Sequence, residues 1–460
     1  MNPRVSALLL AAGLACAGPA ARPHGARAAL QPRADLRGAV VYGVVPPFFG
    51  ERPLAAVSDR LDALAELGVD VLWLSPVMDT DDRGAISYAT TDYLRLRPDY
   101  GTPEELRALV RGAHARGMRV ILDIVPNHTS VGHPFYADAE ARGRGSPYWG
   151  HYVRDASGVA QHDFDWAHLK KLDYANPAVR RLVTEAFQHW VRAYGVDGFR
   201  VDAAWGVRER APDFWPELVR ALRRERPDLI LVAEASARDP YYVASGFDAA
   251  YDWTEELGRW SWEALFDDPR RIGPALDGAL ASAATPMDRV VRFIDNNDTG
   301  DRFVTRYGPA RTRQASVLVH ALPGVAGMFT GEELGAAYRP YDDPPPVDWS
   351  RDRAGLRAHY RRLAALREEL PALRDGAYRR VRVAGTDAAF AFLRDAGRAG
   401  SALVVLNFGP ARRLRLELPV ELPRAPTWDA LAERRAEVRA LGPRTFEVAL
   451  PEDGVALLVP

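Results

Sequence analysis

Four acidic residues stand at the ends of short apolar runs, where their carboxyl groups could act together. They are Asp123, Asp202, Glu234 and Asp298. Two carboxyl groups that flank a glycosidic bond can share its cleavage, because one attacks the sugar carbon and the other protonates the leaving oxygen. Crowding raises the pKa of one group while a nearby cation keeps the other ionised, and Arg200 lies two residues before Asp202, on the same strand face. The alternative is that each acid only caps the helix that follows its strand.

The apolar runs predict the elements that would bring these acids together. Eight runs typical of buried strands alternate with amphipathic stretches, at residues 40–45, 69–74, 118–125, 198–201, 229–233, 249–251, 290–294 and 326–330. Thr102-Pro103-Glu104-Glu105 has the pattern of a capping box, and Gly195 ends the helix predicted from residue 178. Nearly continuous apolar strands are typical of parallel sheets, and eight such units favour a closed (β/α)8 TIM barrel over an open, doubly wound sheet. The carboxyl ends of barrel strands meet at one mouth, so we expect the four acids to converge there.

Two parts of the chain depart from this alternation. A long segment rich in Gly, His, Asp and aromatic residues follows the third strand, and residues beyond 375 alternate with the period of two that antiparallel strands show. We therefore predict an α/β protein with a barrel over residues 39–375, a small inserted domain over residues 129–176, and a C-terminal antiparallel β domain over residues 376–460.

The first residues have the features of a secretory signal peptide. Arg4 precedes an apolar run too short to span a bilayer, and Ala15-Cys16-Ala17 offers a cleavage site. We predict a signal peptide over residues 1–20, a disordered lead-in over residues 21–38, and a secreted or periplasmic protein. Cleavage before Cys16, the only cysteine, would instead give a lipoprotein.

Charge and hydropathy exclude some partners. The chain has 60 basic and 61 acidic residues and a formal net charge of −1, which does not favour nucleic acid. No later apolar run is long enough for a membrane span. A neutral polymer such as an α-glucan suits this balance, and the sequence does not indicate the oligomeric state.

The segments around the four acids resemble the signature motifs of the α-amylase family, glycoside hydrolase family 13. Residues 123–128 (DIVPNH) are similar to its first motif, 198–202 (GFRVD) to its second, 232–235 (VAEA) to its third and 293–298 (FIDNND) to its fourth. Residues 323–333 resemble the stretch around its eighth strand. The resemblance covers residues 39–460 and implies a retaining enzyme that acts on α-linked glucose. It also implies that the insertion over residues 129–176 is the family's domain B and that the C-terminal domain over residues 376–460 is an antiparallel β-sandwich.

The resemblance also implies roles for individual residues. Asp202 would be the nucleophile, Glu234 the general acid/base, and Asp298 the group that holds sugar hydroxyls and stabilises the transition state. The substrate-binding candidates are Tyr88, His128, Arg200, Asn297, Asp123 and Trp205. Arg200 would keep Asp202 ionised, and His128 would hydrogen-bond the sugar. Alternatives are a rim aromatic for Tyr88, a structural hydrogen bond for His128 and a core position for Trp205.

Some positions differ from the family pattern. Asn297 stands where the fourth motif usually has His, and an amide can donate a hydrogen bond but cannot become cationic. Trp205, preceded by Ala204, replaces a Lys-His pair that many α-amylases carry, and Pro344 stands near the place of a usual Arg before Trp349. These changes weaken the case for endo-cleavage of long starch.

The calcium site that the resemblance would imply is expected to be lost. Asn127 is retained, but Lys171 and Gly206 stand at the places of the usual Asp and His. A lysine supplies no oxygen ligand, so we predict no metal and no other cofactor. The hypothesis is that the Lys171 ammonium replaces the ion and pairs with Asn127 and nearby carbonyls; the alternative is a solvated surface charge.

The sequence therefore favours a hydrolase of α-1,4-linked maltooligosaccharides or starch. An α-glucosidase or transglycosylase of the same family, trehalose-forming or maltosyl-transferring, is the main alternative. A non-catalytic sugar-binding protein on the same barrel is a remote alternative, because the three catalytic acids are present. A metal-dependent hydrolase is disfavoured because residues 123–128 lack zinc-like ligand spacing.

Overall fold

The computed structural model describes residues 36–253, 262, 265–281, 286–342 and 346–460. The predicted signal peptide, Cys16 and Pro344 lie outside these ranges, so those expectations stay predictions. Leu36 is only 4% exposed and packs with the apolar residues inside the barrel. The predicted disorder is therefore wrong for residues 36–38, because the burial of Leu36 offsets the cost of ordering this short segment.

Eight parallel strands close into a barrel, which confirms the predicted (β/α)8 fold and excludes the doubly wound alternative. We number them barrel strands one to eight: Val40–Val44, Val71–Leu74, Arg119–Ile124, Gly198–Val201, Ile230–Ser236, Ala249–Tyr251, Val290–Arg292 and Val325–Phe329. Each pairs with its neighbour in sequence, and strand eight closes on strand one with Ala326 opposite Val40. All strand carboxyl ends consequently lie at one mouth.

Helices follow each barrel strand, and most of them cover the outer face of the barrel, whereas Pro134–Arg142 belongs to the insertion. They span Pro53–Ser58, Leu61–Leu67, Pro103–Ala115, Pro134–Arg142, Pro177–Tyr194, Ala204–Arg210, Phe214–Glu225, Tyr241–Ala244, Pro269–Ala281, Phe303–Ala321, Leu356–Glu369 and Pro371–Asp375. The predicted capping box forms, since the Thr102 hydroxyl accepts from the Glu105 N–H while Glu105 Oε2 accepts from the Thr102 N–H at 2.8 Å. Gly195 ends its helix with a left-handed φ of 71°.

Alternating strand residues build two apolar layers. Side chains such as Val41, Ile121 and Val291 fill the barrel interior, while those on the opposite strand faces, such as Leu122 and Leu231, pack against the helices. The packed interior confines chemistry to the mouth.

Two small antiparallel sheets extend the mouth. Met78–Thr80 pairs with Thr90–Leu96 after barrel strand two, and His128–Ser130 pairs with Leu169–Lys171 after strand three. The second sheet anchors the long insertion to the barrel. Its register places His128 opposite Lys171.

The C-terminal segment is a single antiparallel sheet folded into two layers. Its nine strands are Ala377–Ala384, Ala389–Asp395, Ser401–Asn407, Arg412–Glu417, Trp428–Asp429, Arg434–Arg435, Val438–Gly442, Thr445–Leu450 and Val455–Val459. The first of these pairs with the second along its initial half and with the fourth along its final half, which folds the sheet around an apolar core. Phe390, Phe392 and Phe408 on the outer face share one apolar cluster with the barrel helices. None of the helices in the described ranges has the length and apolar character needed to cross a bilayer.

Candidate active site

The four acids predicted from the sequence lie together at the carboxyl ends of the barrel strands. Asp123 belongs to strand three and Glu234 to strand five, while Asp202 directly follows strand four. Asp298 lies in the loop after strand seven, and its charge acts on the same cluster. Residues from four separate strands thus meet in one place, as the barrel topology requires.

Arg200 is the cation at the centre of this cluster, and its side chain is only 1% exposed. Its Nη1 donates to Asp123 Oδ1 at 2.9 Å and to Asp202 Oδ1 at 3.0 Å. Its Nη2 lies 2.9 Å from Glu234 Oε1, and its Nε donates to the Tyr251 hydroxyl at 3.0 Å. A guanidinium is planar and permanently charged, so it holds Asp202 and Glu234 side by side.

The backbone next to Asp202 also contributes to this arrangement. Ala203 has φ 42° and ψ 40°, a left-handed conformation that costs a residue other than glycine roughly 1–3 kcal/mol. In this conformation its N–H donates to Glu234 Oε2 at 2.5 Å. The strained residue thereby connects the segment after strand four to the acid on strand five.

Burial and mutual repulsion raise the pKa values of Asp123, Asp202 and Asp298. Burial raises the pKa of Asp202 well above its ordinary value, Glu234 adds to the rise, and Arg200 opposes it. Burial likewise raises the pKa of Asp123 to about 6 and that of Asp298 to about 7, again with a contribution from Glu234. Carboxyl groups this close do not all ionise at neutral pH, so the cluster keeps a proton beside an ionised carboxylate. Acid–base cleavage requires that combination.

Tyr88 is tied into the cluster by hydrogen bonds. Its hydroxyl donates to Asp123 Oδ2 at 2.9 Å, and Trp73 Nε1 donates to the same oxygen at 3.2 Å. Asn297 Nδ2 in turn donates to the Tyr88 hydroxyl at 2.9 Å. The ring is half-buried at the mouth, and its role in substrate binding stays a prediction.

Two hydrogen-bond acceptors beside this network have no donor among the described residues. Asp298 Oδ1 accepts from Asn297 Nδ2 at 3.0 Å and from the Tyr341 hydroxyl at 3.2 Å. Asp298 Oδ2 and Asn297 Oδ1 are buried and receive no hydrogen bond from the part of the chain that the structure describes. Buried acceptors are normally satisfied, so this pair suits a ligand that carries hydroxyl groups.

His128 lies at the edge of the site as a neutral imidazole. The side chain is 3% exposed, and burial lowers its pKa to about 4. Its Nδ1 is 3.2 Å from Asn127 Nδ2, so Nδ1 accepts and the Nε2–H is directed at the Tyr88 carbonyl oxygen, 3.3 Å away. These contacts make its orientation structural, and its predicted contact with a sugar stays a prediction.

Trp205 forms an aromatic ledge with Phe164 and Trp166 where the insertion meets the barrel. It is half-buried against the core at the start of the helix after strand four. Its ring centroid lies 5.8 Å from that of Phe164, which is 50% exposed and lies 4.7 Å from Trp166. Trp205 therefore packs against the core, as the alternative predicted, and also borders an exposed aromatic surface. Its role in substrate binding stays a prediction.

Sequence reasoning missed three aromatic residues of the site. Trp73 and Tyr251 lie in barrel strands two and six, and their polar atoms contact Asp123 and Arg200. Their positions at or near strand ends were a usable signal, since such residues line the mouth. Tyr341 comes from the loop after strand eight, and no sequence pattern pointed to it.

The residues near the family's calcium position do not fit a calcium ion. Asn127 Oδ1 accepts from Arg210 Nη2 at 2.7 Å, and Asn127 Nδ2 donates to Asp163 Oδ2 at 2.8 Å. Lys171 Nζ lies 2.6 Å from Asp163 Oδ1. A cluster with two cationic side chains and one carboxylate repels a divalent cation, which needs six or more oxygen ligands. The described residues also contain no cluster of three or more His, Cys, Asp or Glu side chains placed to hold a metal.

The hypothesis for Lys171 is corrected in one respect. Its ammonium pairs with Asp163, and it is Arg210 that contacts Asn127. The side chain of Lys171 is 21% exposed and ion-paired, so the alternative of a solvated surface charge is wrong. Gly206 leaves room for this network, because a Cβ there would lie 2.5 Å from Asn127 Oδ1.

Comparison with known proteins places this geometry in a family. The family model of the α-amylase catalytic domain matches residues 50–355, more than half of the chain. Alpha-amylase MalA of Haloarcula japonica is 30% identical over 385 residues, which is 80% of this chain and 55% of that protein. Trehalose synthase/amylase TreS of Mycobacterium tuberculosis is 34% identical over 262 residues, 47% of this chain and 43% of that protein. The chain thus spans about half the length of these curated relatives.

A solved structure has a similar fold over nearly the whole chain. The type III pullulan hydrolase of Thermococcus kodakarensis superposes with a TM-score of 0.75 at 26% identity, covering 93% of this chain and 83% of that one. Barrel, insertion and C-terminal sheet therefore occur together in a known enzyme architecture.

Proposed function

Since the chain belongs to the α-amylase family of glycoside hydrolases, we propose that it hydrolyses α-1,4-glucosidic bonds in maltooligosaccharides or starch with retention of configuration. The observation that carries this proposal is the sharing of one buried guanidinium, that of Arg200, by Asp202 and Glu234. A retaining glycosidase requires two carboxyl groups held close together, one of them protonated.

The double displacement assigns one role to each acid. The Asp202 carboxylate attacks the anomeric carbon while Glu234 gives its proton to the departing oxygen, which leaves a glycosyl ester on Asp202. Glu234 then takes a proton from water, the resulting hydroxide attacks the same carbon, and Asp202 is released. Arg200 stabilises Asp202 as a leaving carboxylate, and the surrounding negative charge favours a transition state in which the sugar carries positive charge.

Asp298 is proposed to bind the sugar whose bond is cleaved. Its Oδ2 and the neighbouring Asn297 Oδ1 are the buried acceptors without a donor among the described residues. Two hydroxyl groups of one sugar ring can satisfy both acceptors. Such bonds strengthen when the ring becomes positively charged, which lowers the barrier.

Transfer to a second sugar is the alternative that a specific observation favours. The ledge of Phe164, Trp166 and Trp205 offers aromatic surface beside the segment that carries Asp202. A sugar stacked there could accept the glycosyl group in place of water. The name of the mycobacterial relative includes trehalose synthase as well as amylase.

We further propose that the enzyme needs no bound calcium. The support is the Arg210–Asn127–Asp163–Lys171 network, which provides positive charge where the insertion joins the barrel. A cation built from side chains would stabilise this junction without a metal.

Substitution of the two central acids tests the proposed function. We expect Asp202→Asn and Glu234→Gln each to lower kcat on maltotriose by at least about 10³-fold, because each removes one half of the chemistry. A substrate with a good leaving group should partly rescue the first step in Glu234→Gln but not in Asp202→Asn. Asp228→Asn is a matched control, since this 57% exposed acid precedes strand five at the opposite end of the barrel. Near-wild-type turnover of Asp202→Asn would refute the assignment.

A product analysis on maltose, maltotriose and starch separates hydrolysis from transfer. Products that are all shorter than the substrate support the hydrolase. Products longer than the maltose or maltotriose supplied, or trehalose-type products, support transfer. Sugar binding by the wild type without any turnover would indicate a non-catalytic protein.

A further inference from the structure

Tyr341 reaches the catalytic cluster from outside the barrel. It lies in the loop after strand eight and is 50% exposed, yet its hydroxyl lies 3.1 Å from Asn297 Nδ2 and 3.2 Å from Asp298 Oδ1. No other residue of that loop has a described hydrogen bond to the four acids. The phenol therefore combines an exposed ring with a hydroxyl group inside the site.

The hydrogens in this network determine which way the Asn297 amide points. The Tyr88 hydroxyl has one hydrogen, which it gives to Asp123, and the Tyr341 hydroxyl gives its hydrogen to Asp298. Both phenol oxygens can then only accept, so the group between them must be the NH2 of Asn297 and not its carbonyl. The Asn297 oxygen is consequently the amide atom that is left without a donor among the described residues.

We propose that Tyr341 is a positioning residue: together with Asn297 it occupies Asp298 Oδ1, so that Asp298 Oδ2 and Asn297 Oδ1 are left as acceptors for the substrate. This inference rests on the proposed function of Asp298. Without the phenol hydroxyl, Asp298 Oδ1 loses a donor, and the carboxyl group can rotate about its side chain. Asn297 likewise loses one of the three acceptors that share its two amide hydrogens, the others being the Tyr88 hydroxyl and Asp298 Oδ1.

The same loop also makes contacts that do not involve the four acids. The Tyr338 hydroxyl donates to the Thr330 carbonyl at 2.6 Å, and Arg339 Nε lies 2.8 Å from Asp301 Oδ1. Tyr338→Phe therefore weakens the same loop without touching the acids. It is the matched control for Tyr341→Phe.

Kinetics across pH test the proposal. We expect Tyr341→Phe to lower kcat about tenfold, since one hydrogen bond that orients Asp298 is lost. In the wild type this bond favours the ionised form of Asp298. Its loss should therefore raise the pKa of Asp298 and shift the acidic limb of the kcat–pH profile to higher pH by roughly half to one unit. The charged and titratable groups that face Asp298 are Tyr88, Asp123, Arg200, Asp202, Glu234 and Tyr341. Tyr338→Phe should keep the wild-type limb, whatever it does to stability.

A measurement without turnover keeps the proposal independent of the substrate. The Tm of Tyr341→Phe minus that of the wild type should become more negative as pH rises from 5 to 9. The reason is that ionising Asp298 in the folded state costs more free energy in the variant. If no α-glucan is cleaved, the proposed function fails, and this comparison still decides whether Tyr341 supports Asp298. A Tm difference that does not vary with pH, or an acidic limb that moves equally in Tyr338→Phe, would overturn the proposal.

Discussion

At the scale of residues, the site depends on one arginine that organises several acids. The motifs predicted Asp123, Arg200, Asp202, Glu234 and Asp298 correctly as a cluster, because barrel topology brings strand ends together whatever their distance in sequence. The donors that fix these acids were not predictable in the same way. The hydrogen bonds of Tyr251 and Tyr341 join side chains from different elements across the mouth. Such contacts follow no regular spacing in the sequence.

The raised pKa of Asp298 predicts that this residue lowers stability at neutral pH. Its pKa is about 7 in the folded protein, against about 3.9 for an unfolded aspartate. The folded state therefore binds more protons between about pH 4 and pH 7, and the free energy of unfolding falls as pH rises through that window. We expect Asp298→Asn to raise the free energy of unfolding by of the order of 2 kcal/mol at pH 8 and by little at pH 4, while activity is lost. Denaturant titrations at both pH values measure this. An equal effect at the two pH values would contradict it.

At the scale of elements, the eight strands were predictable and their exact ends were less so. Strand seven ends at Arg292, two residues before the predicted end, because the chain turns there toward the loop that carries Asp298. The helix Phe303–Ala321 contains a non-helical Gly308 with φ 77°, and its apolar pattern is broken at that point. Periodicity is a weak signal where two short helices join at an angle.

Gly198 shows how one backbone position supports the site. A Cβ at Gly198 would lie 1.9 Å from the Ile230 carbonyl oxygen, so an alanine must push strands four and five apart. We expect Gly198→Ala to lower the free energy of unfolding by about 3 kcal/mol or more and to reduce kcat, since these strands carry Asp202 and Glu234. Urea titration and steady-state kinetics measure both effects.

Gly195 is the matched control for that substitution. It has a left-handed φ of 71° but nothing within 4 Å of its Cβ position. Gly195→Ala should cost only about 1 kcal/mol and leave kcat unchanged. Equal losses in both variants would show that contact between strands four and five is not the cause.

At the scale of the whole molecule, the insertion is attached to the barrel by charged side chains. The sequence predicted that Lys171 and Gly206 disrupt a calcium site. It did not reveal Asp163 or Arg210, because partners contributed by a long irregular segment follow no spacing rule. The C-terminal sheet was easier to predict, since its alternation continues over many residues.

This attachment predicts how the protein responds to chelators. EDTA should change neither Tm nor kcat, and metal analysis should find no tightly bound calcium. Lys171→Met should lower Tm, because the half-buried Asp163 carboxylate loses its cation. Arg142→Met is the control, since its ion pair with Asp138 on the insertion is exposed. A fall in Tm on chelation that added calcium reverses would refute the metal-free junction.

The rarity of lysine has a practical consequence for labelling this protein. Lys170 and Lys171 are the only lysines in 460 residues, and both lie in the strand that pairs with His128–Ser130. Apart from the chain's own terminal amine, an amine-reactive dye or a glutaraldehyde-activated support can therefore attach at one location, next to the mouth. Coupling there would compete with the Asp163 ion pair, so cysteine introduced on the C-terminal sheet is the safer handle for immobilisation.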